Sequence, residues 1–162
     1  MFLCGSKWSI SLYASFLISL SFLSACSGSW DEEVVAPENF QDSYSKLHEC
    51  KPSAHPRADY VITWLSPDAL PVWEAWAEGD AEADFELGAI AVKSQYRDSS
   101  CSELTGYTLM EKTSVEADAP NGGWKWQFTN EYGECSNCDA GASCAGCHGG
   151  CTSGPTHFCT QP

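Results

Sequence analysis

Basic residues are scarce in this chain. Eight lysines and arginines stand against 22 acidic residues among 162, a formal net charge of −14. That balance excludes nucleic acid as a natural partner, because nothing basic is available to replace phosphate counterions. A basic protein partner would be steered toward such a surface, although acidity also simply keeps a protein soluble. The chain has no glycine-rich phosphate loop and no serine-hydrolase elbow, so neither nucleotide handling nor a serine nucleophile is indicated. Methionine is almost absent: beyond Met1 there is only Met110. The single long apolar run, Trp8 to Leu23, is rather short for a membrane-spanning helix and lacks its flanks.

That run reads instead as the core of an export signal. Lys7 supplies the positive start, and Ile10, Leu12, Phe16, Leu17, Ile18, Leu20, Phe22 and Leu23 supply the apolar stretch. Leu23-Ser24-Ala25-Cys26 resembles a bacterial lipobox, in which the cysteine is diacylated and becomes the first mature residue. Several acyl chains on one residue exceed the single chain that binds membranes only marginally. Ser27, rather than aspartate, then indicates sorting to the outer membrane, facing the periplasm or the cell surface. A plain secretory signal cleaved near Ala25, or a retained signal anchor, is the alternative. The expected organisation is a lipoprotein signal over 1–25, a flexible tether over 26–38 and one domain over 39–162. Loss of Lys7 alone moves the net charge from −14 to about −15.

Ten cysteines are too many for a reducing cytosol and ordinary in an oxidising compartment. Cys4 leaves with the signal and Cys26 carries lipid. Cys144-Ala145-Gly146-Cys147-His148 is the attachment signature of a c-type haem. Two thiols on one short turn reach the two vinyl groups on one edge of the macrocycle, and the next residue's imidazole binds iron as the proximal ligand. Cys50, Cys101, Cys135, Cys138, Cys151 and Cys159 remain, an even set that allows fifteen disulfide pairings. Two other readings stay open for the tail: a disulfide knot, or zinc held by Cys135, Cys138, Cys144 and Cys147. His48, His55 and His157 show no ligand spacing and read as surface residues, although any of them is chemically able to be a distal ligand.

The patterning predicts an α+β fold, a mostly antiparallel β-sheet with two short helices and a C-terminal haem-bearing segment. Asn39 is placed to cap a helix with Phe40, Tyr44 and Leu47 on one face. Asp59 to Leu65 reads as a strand. Ser66-Pro67 reads as the start of a helix with Leu70, Trp73 and Ala77 on one face, ended by Gly79. Three strands follow: Leu87 to Tyr96, Gly106 to Lys112 and Gly123 to Thr129. In the first, Ile90, Val92 and Ser94 face one way and Ala89, Ala91 and Lys93 the other. Beyond Tyr132 there is no periodicity, so covalent bonds must hold the tail.

A haem motif at the C-terminus, after strands, is unlike most c-type cytochromes. It resembles the cytochrome P460 family and its relative cytochrome c′-beta. The resemblance runs from about Tyr60 to Gln161 through four segments in order: Phe85 to Lys93, Gly106 to Lys112, Gly123 to Trp126, and Cys144 to His148 with Phe158 trailing. It implies one covalently bound haem c, histidine on one side of the iron and an open position on the other. It also implies hydroxylamine as substrate, a homodimer, and a lysine bonded to the porphyrin edge, here Lys93. A lysine must be neutral to act as a nucleophile, and apolar burial lowers its pKa. Otherwise Lys93 ends a strand and carries its ammonium to water. The family's distal carboxylate falls at Thr108, and the nearby Glu111 should point to the other face. A missing base would impair proton removal from hydroxylamine.

Four functions therefore compete. A hydroxylamine-oxidising haem enzyme is favoured by Lys93. A module binding nitric oxide at a five-coordinate haem is favoured by Thr108. An electron carrier, passing electrons to a basic protein, would use Met110 as sixth ligand. A disulfide-rich structural lipoprotein needs no haem.

Overall fold

The computed structural model describes residues 33–116, 118–151 and 158–159. Cys4, Cys26, Ser27 and His157 lie outside them. The fold is α+β. Strands β1 (Ser45–Lys46), β2 (Lys51–Pro52), β3 (Tyr60–Leu65), β4 (Ile90–Tyr96), β5 (Leu104–Lys112), β6 (Trp124–Thr129) and β7 (Cys135–Asn137) form one sheet. Its order is β1-β3-β4-β5-β6-β7, with β2 also on β3, and every pairing is antiparallel. Helices α1 (Leu70–Ala77) and α2 (Gly141–His148) cover one face. Among the described residues no helix is long and apolar enough to cross a membrane.

Alternation along the strands divides the side chains between two cores. The inner face gathers Leu65, Ala89, Ala91, Met110, Trp124, Trp126 and Phe128 under Trp73 of α1, Cys144 of α2 and Phe158. Phe158 is 1% exposed and meets Trp73 and Phe85 edge-on, ring centroids 5.5 and 5.3 Å apart. The outer face gathers Val92, Tyr107 and Leu109 under Phe40 and Ala36. Glu111 lies on this outer side, opposite Ile90 and Lys125 in the register, as the parity of β5 requires. Gly106 has φ +145°, and a Cβ there would collide with the Thr129 carbonyl, so glycine lets β5 and β6 approach closely.

Several local expectations change. The helix expected after Asn39 is one 3-10 turn, Phe40–Asp42, and Asn39 makes no capping bond. Phe40 plugs the outer core edge-on to Trp64 and Tyr107, and Ser45–Lys46 then pairs with β3. The open edge of β3 thus captures the chain before a second helical turn forms. Ser66 does not cap α1; its Oγ accepts the Ile90 N–H at 3.0 Å and ties the helix approach to β4. Leu87, expected as the first residue of this strand, is 58% exposed, because β4 starts only at Ile90. The second helix is α2, in the tail that shows no periodicity. Residues 33–36, within the stretch expected as a tether, contact the fold. Val35 N–H donates to Gln127 Oε1 at 2.9 Å, Gln127 Nε2 donates to the Glu33 carbonyl at 2.6 Å, and Ala36 is buried. Gln127 is fully buried, and these two bonds satisfy its amide.

Candidate functional site

Sheet register assembles the site. Lys93 on β4 stands directly between Thr63 on β3 and Thr108 on β5, and Thr108 faces Phe128 on β6. One pleat along, on the same face, run Leu65, Ala91, Met110 and Trp126. Two residues along a strand return to the same face, so Lys93, Thr108 and Met110 necessarily share it. Helix α2 lies against β6, with the Ala140 N–H donating to the Trp126 carbonyl at 2.9 Å. His148, its last residue, brings its ring within 4.5 Å of Trp126.

The cysteines sort themselves by geometry. Disulfides join Cys50 to Cys101, Cys135 to Cys138, and Cys151 to Cys159. The free thiols among the described residues are Cys144 and Cys147, both on α2. Cys144 is buried, and burial pushes its thiol up, while Cys147 is exposed. The four-thiolate zinc set is thereby broken, since Cys135 and Cys138 are spent on one another. His148, Cys151 and Cys159 place their ligand atoms within 4.8 Å of one another, but the two sulfurs are joined and offer no thiolates.

A cleft of about 490 Å³ opens beside α2, lined by Lys51, His55, Thr63, Lys93, Cys147 and His148. That volume lies within the range of ordinary ligand sites. At its inner end is a pocket of about 10 Å³ where Ala91, Thr108, Met110, Trp126 and Phe158 join His55, Lys93 and His148. It has room for about one water. Above stands the 53–59 loop. Its ends are held by the Ser53 N–H to Asp59 carbonyl bond at 2.9 Å, and the Cys50–Cys101 disulfide anchors its approach. Arg57 lays its guanidinium 4.1 Å from the centre of the Phe128 ring.

His55 belongs to the site and is not a plain surface residue. Its Nδ1 accepts the Arg57 backbone N–H at 3.3 Å. Burial, Lys93, His148 and Arg57 together push its pKa down to about 4. His48 is half-buried beside the cleft wall: Nδ1–H donates to the Glu49 carbonyl at 2.7 Å, and Nε2 accepts the Thr63 hydroxyl at 3.0 Å. Lys93 is pushed down to about 8, first by burial and then by Lys51. Lys112, buried on the same face, has Asp84 at 3.7 Å and the Gly122 carbonyl at 3.4 Å. Among the described residues Lys93 has no such partner, so its amine does not escape to a carboxylate.

Thr108 occupies the wall of the inner pocket, where its Oγ1 accepts a hydrogen bond from Gln95 Nε2. Among the described residues no carboxylate takes the corresponding place in that wall. Met110 lines the same pocket and is 6% exposed. The site therefore brings together Lys93, Thr108, Met110, Cys147, His148 and Phe158, while Cys144 anchors α2 beneath them. Sequence reasoning read His55 as a surface residue able to be a distal ligand, and missed Arg57 and Gln95. The loop holding the first two has two prolines and no spacing signal, and Gln95 follows Lys93 by two along β4, a parity that could have revealed it.

One observation suits a covalently attached haem. Of the eight cysteines in the described residues, the pair left unbridged is the one on α2 beside His148. No known family model and no curated protein matches the chain.

Proposed function

We propose that this chain is an exported, mono-haem c-type protein resembling the cytochrome P460 family. On this reading it acts on small nitrogen compounds, with hydroxylamine oxidation as its reaction. The observation that carries the reading is the pair of free thiols, Cys144 and Cys147, on the helix that ends in His148 at the cleft. Cys144 and Cys147 would hold the haem through thioethers, His148 would bind its iron, and Phe158 would close the apolar side of the pocket. When bound, the haem supplies a redox-active iron that takes electrons from the substrate. Lys93 faces the cleft with its pKa pushed down to about 8, which eases access to the neutral amine required for the bond that the resemblance places at the porphyrin edge.

The chain's own proton chemistry is thin at this site. The Thr108 hydroxyl is engaged by Gln95, and the Nδ1 lone pair of His55 is occupied by the Arg57 N–H. Neither serves as a ready base. This favours a second reading, in which the protein binds nitric oxide as cytochrome c′-beta does and turns over slowly. The test of attachment is the Cys144→Ala, Cys147→Ala double variant, produced in a host with intact cytochrome c maturation. It should lose the haem absorption that the parent retains through denaturing chromatography. Haem-free parent protein contradicts the reading. Thr108→Glu separates the two functions: it should raise hydroxylamine turnover if a missing base is the limit.

A further inference from the structure

The loop that joins two strands at one edge of the sheet reaches the far side of the site. Residues 53–59 link β2 to β3, and β3 is separated from β6 by β4 and β5. Arg57 nevertheless lays its guanidinium 4.1 Å from the centre of the Phe128 ring on β6. Neighbouring strands lie about 4.8 Å apart, so the loop and this side chain together cross about 14 Å. The register marks the line of crossing: Thr63, Lys93, Thr108 and Phe128 stand side by side on β3, β4, β5 and β6. The loop therefore straps the row that carries Lys93 and Thr108. His55, two residues before Arg57, lines both the outer cleft and the inner pocket.

The strap is joined to the sheet at its ends and bonded to itself between them. The Ser53 N–H donates to the Asp59 carbonyl at 2.9 Å, and the Ala58 N–H to the His55 carbonyl at 3.2 Å. The His55 N–H donates to Ser53 Oγ at 2.9 Å, and the Arg57 N–H to His55 Nδ1 at 3.3 Å. Among the described residues its hydrogen bonds stay within 53–59, and none of its residues is buried. Bonds of that kind survive when a loop swings as a unit about its ends. The strands beneath are fixed by their ladders, whereas the tip of the strap is tied to the far wall by a cation over a ring. The inner pocket has room for about one water, so a larger ligand enters only when a wall moves.

We propose that residues 53–59 are a hinged strap that gates the inner pocket, latched by Arg57 on Phe128. Latched, the strap holds His55 in the pocket wall; released, it swings out with His55 and opens the way to Lys93 and Thr108. The latch rests on the geometry of the chain alone. That a ligand of the haem iron passes beneath it rests on the function proposed above, and Lys93, Thr108 and His148 keep the roles given to them there.

The test is the rate at which small probes reach the pocket in the full chain, compared between the parent, Arg57→Gln and Arg57→Lys. In haem-loaded protein the probe is carbon monoxide, its association with the reduced iron followed after flash photolysis. In haem-free protein the probe is formaldehyde with cyanoborohydride, and methylation of Lys93 is scored by peptide mass spectrometry against Lys46, a surface lysine. Arg57→Gln should raise the rate about two- to fivefold, the usual worth of an exposed cation–π contact. Arg57→Lys keeps a cation for the ring and should stay within about twofold of the parent. Phe128→Leu should raise the rate as Arg57→Gln does, and the two together should bring no further rise, because both remove one contact. Circular dichroism shows which variants are folded. A rate unmoved by Arg57→Gln overturns the strap. A rise from Arg57→Gln that persists in full on top of Phe128→Leu reduces it to a charge effect and overturns the latch. If Phe128→Leu does not fold, equal rates in Arg57→Gln and Arg57→Lys overturn it instead. Haem-free parent overturns the proposed function, and methylation of Lys93 then decides the strap. Haem-loaded protein with carbon monoxide rates unmoved overturns the strap and leaves the function standing.

Discussion

Lys93→Met tests the energetics of the cleft directly. The lysine is buried with no counter-charge among the described residues, and burial together with Lys51 pushes its pKa down from 10.5 to about 8. Its folded form therefore binds fewer protons than its unfolded form between those values, and stability rises with pH across that window. Below pH 8 both forms are protonated, and the folded state bears the full cost of a charged group in a poor environment. A tenfold change in proton affinity is worth about 1.4 kcal/mol, so that cost is of the order of 1–3 kcal/mol at pH 7 and under ~1 kcal/mol at pH 10. The experiment is urea unfolding of a Cys144→Ala, Cys147→Ala background, with no thiol free to exchange, with and without Lys93→Met, at pH 7 and pH 10. The methionine variant should be the more stable at pH 7 by about 1–3 kcal/mol, and the gap should shrink toward zero at pH 10. A variant less stable at pH 7, or a gap that does not depend on pH, would mean that Lys93 has a partner and that the cleft is not built as described.

Three further outcomes follow from particular contacts. Phe158→Ala should destabilise the protein by about 3–5 kcal/mol in urea unfolding, because a fully buried ring is removed from between Trp73 and Phe85. Cys50→Ala with Cys101→Ala opens a bridge between positions separated by 51 residues and should cost about 4 kcal/mol by loop entropy, with faster proteolysis in the 53–59 loop. Cys26→Ser should release the protein from the membrane fraction, as judged by fractionation and mass spectrometry of the N-terminus; an unchanged distribution contradicts lipid anchoring.

The strands were legible because their side chains alternate between two buried faces. β3, β4, β5 and β6 lie within a few residues of where the pattern puts them, and Thr108 and Met110 fall on one face by parity, while the register of β4 on β5 brings Lys93 to them. Helix α2 was not legible. Its residues are glycine, alanine, serine and cysteine, with modest helix propensity and no apolar stripe. What holds it is tertiary: Gly141 fits against Asn121, where a Cβ would collide, and Cys144 is buried on the inner core. The short reach of the helix after Asn39 also depends on a distant element, the edge of β3 that pairs with Ser45–Lys46. The docking of residues 33–36 rests on the buried Gln127 amide, which in an alternating strand looks like an ordinary outward polar residue. His55 read as a surface residue for a related reason: its place comes from a loop pinned at both ends, and no local spacing records that.

The central claim is that Cys144 and Cys147 carry one haem with His148 as its proximal ligand. Intact-mass spectrometry after acid–acetone extraction, on protein from a host with cytochrome c maturation, is the most direct test. The account predicts a chain heavier by one haem, with the added mass on the peptide containing Cys144 to His148 and the other cysteines of the domain in three disulfides. A chain of unmodified mass, or one with Cys144 and Cys147 joined to each other, would contradict it.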